Sequence, residues 1–218
     1  HVSLGGGANL VCTVLMLALF KHHEGGRKLG FLLHLQVDNT TAENKNKIVI
    51  GLLAYLVLMD HFKEARIFCM PVGHTYNLLD QTFAPTIQSM LIRVVATIGE
   101  LITFLLMALA QYRIREVRHL PHLWDFESWL KPHMHPLGGF ATGQQSSGMH
   151  EMIFRKDADG HVRFNTRQSS QSSTWMIEGP GELIFKSSPA PTGPPVARMK
   201  ADESWGRETV QTNVRRWL

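Results

Sequence analysis

Apolar and polar positions alternate in blocks along the first third of the chain, and these blocks predict helices and strands in turn. Residues 8–20 are mostly apolar and are followed by basic residues and two glycines, a pattern typical of a helix end. Residues 31–37 form a short apolar run that predicts a buried strand. Residues 40–59 predict the next helix, because Thr40 and Glu43 have capping-box spacing and an almost wholly apolar stretch follows them.

The next blocks indicate a parallel pair of strands. Residues 65–72 predict a second strand, and residues 77–90 predict the helix after it. The first connection is long enough for a right-handed crossover between parallel strands. In such sheets, sites form beyond the carboxyl ends of the strands. Asp38 follows the first predicted strand, and His74 and Asp80 follow the second, so we expect them at one edge of the sheet.

The pattern changes in the second half of the chain. Residues 92–113 continue as helix, residues 124–130 predict a short helix, and residues 131–147 read as a linker. Two alternating runs flank residues 157–160, whose D-A-D-G sequence predicts a β-hairpin. The predicted divisions are residues 1–130 as the core, 131–188 as a linker and β-hairpin appendage, and 189–218 as a flexible proline-rich tail.

Composition narrows the class of protein. The chain has 218 residues, 44% hydrophobic and 18% charged, which is ordinary for a globular domain. A formal net charge of +4 is compatible with a polyanionic partner but does not require one. Cys12 and Cys69 lie in apolar runs, so we expect reduced core thiols and a reducing compartment. Residues 90–110 contain Arg93 and Glu100, which argues against a membrane span.

Asp38 and Asp80 are candidate metal ligands for phosphodiester chemistry. Two divalent ions about 4 Å apart can activate an attacking oxygen and stabilise a leaving oxygen. Magnesium prefers oxygen ligands, so two carboxylates on one rigid edge would suit it. The alternative is structural, with Asp38 in an Asx turn and Asp80 favouring a helix dipole. Glu100 lies in a very apolar helix and is therefore expected to be paired or functional.

Polar residues around the two aspartates suit a nucleic-acid backbone. Helix amides and lysines beyond Asp38 could hold phosphates. The candidate nucleic-acid contacts are Asn39, Asn44, Lys45, Lys47 and Thr75. The alternative for the two lysines is a solvated pair. His74 could be a metal ligand, an acid–base group or a phosphate contact, and its alternative is a structural histidine bonded to a backbone carbonyl.

At these motifs the chain resembles a transposon-derived family of eukaryotic proteins. Members of that family have D-N-x-x-x-E-N-K-N, then P-V-G-H-T-H and an aspartate, where this chain has D-N-T-T-A-E-N-K-N and P-V-G-H-T-Y. The resemblance runs from G-G-A-N-L through the F-R-K-D hairpin and ends at about residue 195. The family is similar to the DDE-type transposases and integrases of the ribonuclease H-like superfamily.

The resemblance implies roles for the candidate residues. Asp38 would be the second catalytic carboxylate and Asp80 the third, with Glu100 as a substitute, and they would bind Mg²⁺ or Mn²⁺. The first carboxylate would lie on a strand upstream of His1, so the chain is expected to be truncated. Tyr76 stands where the family has the second histidine of G-H-T-H, which makes a decayed or domesticated copy a credible alternative.

We therefore expect an α/β fold of ribonuclease H-like type, truncated at its N-terminus, with a C-terminal β-rich appendage. The expected function is transposase-derived, metal-dependent DNA strand cleavage and transfer in the nucleus. DNA is the expected partner, a homo-oligomer is compatible with this function, and no membrane is expected. His74 would orient a metal-bound water or a phosphate.

Three alternatives remain open. The first is a catalytically dead nucleic-acid-binding or scaffold protein of the same fold. The second is a ribonuclease or exonuclease of the same superfamily. The third is an unrelated hydrolase that uses His74 and Asp80, whose activity would survive chelation.

Overall fold

The computed structural model divides the chain into two compact units, residues 1–71 with 122–218, and residues 72–121. The described residues are 7–26, 28–38, 44–70, 85–86, 97–112, 116–117, 120, 123–136, 150–167, 181–189 and 193–195. The predictions outside them concern Asn39, Thr40, Glu43, His74, Thr75, Tyr76, Asp80, most of the helix at 77–90, and most of the tail from residue 189.

The first unit contains a five-stranded mixed sheet. Its strands, in sheet order, are β1 (Leu32–Val37), β2 (Glu64–Cys69), β3 (Glu151–Lys156), β4 (Val162–Arg167) and β5 (Glu182–Leu183). β1 and β2 are parallel, with Val37 beside Cys69. The other three pairings are antiparallel. The α/β class and the predicted parallel pair are therefore confirmed.

The predicted hairpin exists, but it is not an appendage. β3 pairs with β2, so that Ala65 lies opposite Phe154 and Ile67 opposite Met152, and all four side chains are buried. The turn uses Gly160 with a φ of 82°, a conformation that glycine adopts without steric cost. The appendage prediction is wrong because an alternating pattern indicates a half-buried strand without indicating which strand it will pair with.

The helices are α1 (Ala8–Glu24), α2 (Lys47–Leu58), α3 (Ile98–Leu109) and α4 (Phe126–Leu130), and α3 belongs to the second unit. In the first unit, α2 packs against α1, α4 and one face of the sheet. Residues 48–57 of this helix are all buried, as its apolar sequence predicts. At Gly51 an added Cβ would lie 2.7 Å from Sδ of Met134, so the glycine permits close packing there. Residues 131–147 are therefore not wholly a linker, since Met134 is buried and bridges Phe185.

α2 begins at Lys47, later than the predicted start at residue 40. Asn46 caps the helix, because its Oδ1 accepts a hydrogen bond from the amide of Ile48 at 2.9 Å. Asn44 and Lys45 form a turn and a bend, so no continuous helix runs from residue 40 to residue 59. An asparagine directly before an apolar run is a strong N-cap and outweighs the earlier capping-box spacing.

β1 lies at the edge of the described sheet and is not the buried strand that its apolar sequence predicts. Its residues alternate between exposed and half-buried positions. Phe31 and Leu32 are 77% and 55% exposed. The prediction fails because an apolar run does not reveal whether a further element covers the strand. Cys12 and Cys69 are both buried, as predicted.

The second unit is described chiefly through α3. Helix is present over Ile98–Leu109 and continues as a 3₁₀ turn over Ala110–Tyr112, within the predicted 92–113. Thr97 and Glu100 form a capping box at its start. Among the described residues, no helix combines the length and apolar character that a membrane crossing needs.

Candidate functional site

Asp38 lies where the sequence predicts it, directly after β1 at the carboxyl end of the parallel pair. The amide of Met70, the residue after β2, donates to the carbonyl of Val37 at 3.0 Å, so both strands end at one edge. The side-chain amide of Asn44 donates a hydrogen bond to Oδ1 of Asp38. The structure thus brings Asp38 and Asn44 together, just before the start of α2. We call the ends of β1 and β2, from Val37 to Asp38 and from Cys69 to Met70, the carboxyl edge.

Lys45 and Cys69 lie close to Asp38 at the carboxyl edge. Burial raises the pKa of Cys69 to about 11, the positive charge of Lys45 opposes this, and the negative charge of Asp38 adds to it. Burial lowers the pKa of Lys45, and Cys69 opposes that shift. Charges of opposite sign therefore both act on the Cys69 thiol.

The two lysines predicted as backbone contacts differ in exposure. Lys45 is only 3% exposed, so the prediction of a solvated pair is wrong for it, and its ammonium group is not presented on the surface of the free protein. Lys47, the first residue of α2, is exposed. Of the two, only Lys47 is at the surface, and its contact with a phosphate backbone stays a prediction. Lys45 lies in the bend before the helix, whereas Lys47 is the first helical residue.

His150 is a residue of the carboxyl edge that the sequence did not reveal. It directly precedes β3, and its carbonyl accepts a hydrogen bond from the amide of Cys69 at 2.7 Å. Its Nδ1 lies 3.0 Å from the carbonyl oxygen of Cys69. The two residues are 81 positions apart in the chain, and only the pairing of β3 with β2 brings them together. A histidine directly before an alternating run was the one available signal.

Glu100 belongs to the second unit. Its amide and its carboxylate each form a hydrogen bond of 3.1 Å with Thr97, and the residue is exposed at the start of α3. This capping role accounts for a carboxylate in an apolar helix, and the role of Glu100 as a substitute metal ligand stays a prediction. Asn39, His74, Thr75 and Asp80 lie outside the described residues.

One group within the described ranges could hold a metal ion, and it lies in the turn between β3 and β4. Asp157, Asp159 and His161 offer ligand atoms that all lie within 4.8 Å of one another. Oδ1 of Asp157 accepts the amides of Asp159 and His161 at 3.0 and 2.9 Å. Its Oδ2 accepts Nε of Arg163 at 2.6 Å, a hydrogen bond that lowers the pKa of Asp157. The arginine thus already supplies positive charge to this carboxylate.

The sheet face away from α2 carries a ladder of paired charges. Glu64 pairs with Arg66 on its own strand and with Arg155 on β3. Glu151 pairs with Arg167 on β4, and Nη1 of Arg66 lies 3.7 Å from its other carboxylate oxygen. The ladder joins β2, β3 and β4. It therefore ties the hairpin to the parallel pair by electrostatics as well as by backbone hydrogen bonds.

Residues 3–172 match the model of a family described as a domain of unknown function (DUF7869). The chain belongs to this family. The matched range contains β1 to β4 and every residue of the carboxyl edge, so both the sheet and the candidate site are parts of the DUF7869 domain. Comparisons with curated proteins and with solved structures found no match.

Proposed function

We propose that this DUF7869 domain is a transposase-derived enzyme with a ribonuclease H-like core, and that it cleaves and transfers DNA strands with Mg²⁺ or Mn²⁺ in the nucleus. The observation that carries the proposal is the position of Asp38. Its carboxylate follows β1 at the edge where the parallel neighbour β2 also ends. In open α/β sheets this is the edge at which ligands bind.

The residues of the carboxyl edge suit this chemistry. A carboxylate oxygen is a hard ligand of the type that Mg²⁺ and Mn²⁺ take, so Asp38 fits such an ion. Asn44 holds Oδ1 of Asp38 by a hydrogen bond and thereby limits the rotation of the carboxylate. Lys47 is exposed on the first turn of α2, where it can contact a phosphate. In this proposal Asp80 is the second ligand and His74 orients the attacking water.

The chemistry supplied by divalent ions at such a site is activation of the attacking oxygen and stabilisation of the leaving oxygen. The protein supplies a rigid edge that fixes the ligands before DNA arrives. The backbone hydrogen bond between Met70 and Val37 joins the two strand ends and gives the edge that rigidity. A homo-oligomer on DNA is compatible with strand transfer.

A specific observation favours the second candidate, a catalytically dead DNA-binding or scaffold protein of the same fold. The buried ammonium group of Lys45 lies close enough to the carboxyl edge to act on Cys69, as Asp38 does. Such a lysine can balance the charge of a carboxylate without a metal ion. Tyr76, which replaces a histidine of the resembled family, agrees with this candidate.

Nicking of supercoiled plasmid DNA by the 218-residue chain tests the proposal. We expect nicking that requires Mn²⁺ or Mg²⁺, stops with chelator, and is lost in Asp38→Asn and in Asp80→Asn. Asp60→Asn is the matched control, because Asp60 is an exposed aspartate that follows the opposite end of α2. Nicking that survives chelation or both substitutions would overturn the proposal. DNA binding without any nicking would support the second candidate.

A further inference from the structure

His150 and Asp38 lie on the two sides of Cys69 at the carboxyl edge. Val37, the residue before Asp38, pairs with Cys69 across the parallel strands. On the other side, the Cys69 amide donates to the His150 carbonyl at 2.7 Å. Neighbouring strands are about 4.8 Å apart, so the backbones at Asp38 and His150 are separated by two strand spacings, about 10 Å. A carboxylate and an imidazole are long enough together for one ion to contact both across that span.

The hydrogen bond from His150 to Cys69 determines which ring nitrogen carries the proton. A backbone carbonyl can only accept, so Nδ1 of His150, 3.0 Å from the Cys69 oxygen, must be the donor. In a neutral imidazole the other nitrogen, Nε2, then carries a lone pair. Histidines that bind metals are oriented in this way, with one nitrogen bonded to a backbone carbonyl and the other directed at the ion.

Hydrogen bonds hold two side chains of the carboxyl edge in place, those of Asp38 and His150. His150 is half-buried, so part of the residue is accessible to solvent. The carboxyl edge therefore combines a carboxylate held by Asn44 with an imidazole held by a backbone carbonyl.

We propose that Nε2 of His150 is a nitrogen ligand of a divalent ion bound at the carboxyl edge with Asp38. The inference rests on the proposed function, because it concerns the same site. It also specifies the ion. Magnesium favours ligand sets made only of oxygen atoms, whereas imidazole suits transition metals. An edge that includes His150 selects Mn²⁺ over Mg²⁺.

Binding of Mn²⁺ to the intact chain without DNA tests this assignment, with free Mn²⁺ followed by electron paramagnetic resonance. All proteins carry His161→Asn, which weakens the separate group in the β3–β4 turn. His150→Asn keeps an amide donor near the position of Nδ1 and removes Nε2. We expect it to weaken Mn²⁺ binding at least about tenfold with an unchanged melting temperature.

His150→Gln places an amide oxygen near the position of Nε2 and should shift the preference of the site from Mn²⁺ toward Mg²⁺. His135→Asn, at an exposed histidine, is the control and should change nothing.

The outcomes separate the two proposals. If Asp38→Asn abolishes Mn²⁺ binding while His150→Asn leaves it intact, the role of His150 is overturned and the metal site of the proposed function stands. If neither substitution affects Mn²⁺ binding, or if the chain binds no Mn²⁺, both are overturned. The assignment is supported if Asp38→Asn and His150→Asn both weaken Mn²⁺ binding. In His150→Asn, the loss of Mn²⁺ binding should be larger than the loss of Mg²⁺ binding.

Discussion

Glu151 lies opposite Arg167 on the neighbouring strand and accepts the Nε–H of that arginine, although the Glu151 side chain has no exposed surface. Arg66 contributes a second positive charge, with Nη1 3.7 Å from Oε1 of Glu151. Within the described part of the chain, Oε1 has no hydrogen-bond partner. The buried carboxylate therefore depends on these arginines for compensation of its charge.

Removal of Arg167 should destabilise the fold strongly. Arg167→Met leaves a buried carboxylate with only the more distant Arg66, and breaking such a pair costs about 3–5 kcal/mol. Urea denaturation at pH 7 measures the change in the free energy of unfolding. The double variant Glu151→Leu/Arg167→Met should recover most of the loss, because both charges are gone. Lys131→Met breaks an exposed pair with Glu127 and should cost less than about 1 kcal/mol. An Arg167→Met effect as small as this control would refute the prediction.

Glu64 should make the fold sensitive to acid. Burial raises the pKa of Glu64, but hydrogen bonds from Arg66 and Arg155 outweigh burial, so the pKa lies below its ordinary value of 4.5. A lowered folded pKa means that the contribution to stability is complete above about pH 4.5 and is lost as the pH falls through the folded pKa.

Glu64→Gln therefore should lower stability at pH 7 and reduce the further loss on acidification. The urea midpoint of Glu64→Gln should therefore fall less between pH 7 and pH 3 than the midpoint of the wild type. Glu127→Gln, at an exposed carboxylate, is the matched control and should follow the wild-type curve. If the midpoints of Glu64→Gln and wild type fall equally on acidification, Glu64 is not the source of the acid sensitivity.

The Tyr55 hydroxyl should contribute nothing to stability. Tyr55 is fully buried, and its ring meets Trp129 edge-on with centroids 4.6 Å apart. Among the described residues the hydroxyl has no hydrogen-bond partner, so no hydrogen bond offsets the free energy that its desolvation costs. Thermal and urea denaturation of Tyr55→Phe should show a change within about 1 kcal/mol, or a gain. Tyr55→Ala, which also removes the ring, should cost about 3–5 kcal/mol. A clear loss in Tyr55→Phe would show that the hydroxyl is bonded.

Cys69 should report on the charges at the carboxyl edge. With Cys12 replaced by alanine, the absorbance near 240 nm minus that of the same protein with Cys69→Ala follows the pKa of Cys69, because the tyrosine contribution cancels; burial raises this pKa to about 11. Asp38→Asn removes a negative charge and should lower this pKa, whereas Lys45→Met removes a positive charge and should raise it. Lys47→Met, at the exposed lysine, is the matched control and should leave the titration unchanged. Equal shifts for the two lysine variants would contradict the described geometry.

The sequence predicts the parts of the fold whose signal is local. The β1–β2 pair, the position of Asp38 at its carboxyl end and the two strands around Asp157 all follow from short apolar runs and turn residues. α2 starts later than the capping-box spacing predicts, because two capping signals compete and Asn46, which is nearer the apolar run, caps the helix. The burial of Lys45 was missed because residue type alone predicts a solvated lysine.

The rest depends on pairings between distant segments. Nothing near β3 in the sequence indicates that it pairs with β2, so the hairpin was predicted as an appendage and His150 was overlooked. Exposure of Phe31 and Leu32 likewise depends on what lies beside β1 in three dimensions. The pairing of β2 with β3 is thus the main feature that the sequence does not predict. The same pairing brings His150 to the carboxyl edge.

That pairing also affects how the chain is made. During translation at about 5–20 residues per second, the 81 positions from Cys69 to His150 take roughly 4–16 s to synthesise. Throughout that interval β2 lacks the neighbour that β3 will provide, and an open strand edge can pair with another chain. The nascent protein therefore passes through a period of exposure to misassembly on the ribosome, and dependence on a chaperone at this stage is an expected consequence of its sheet order.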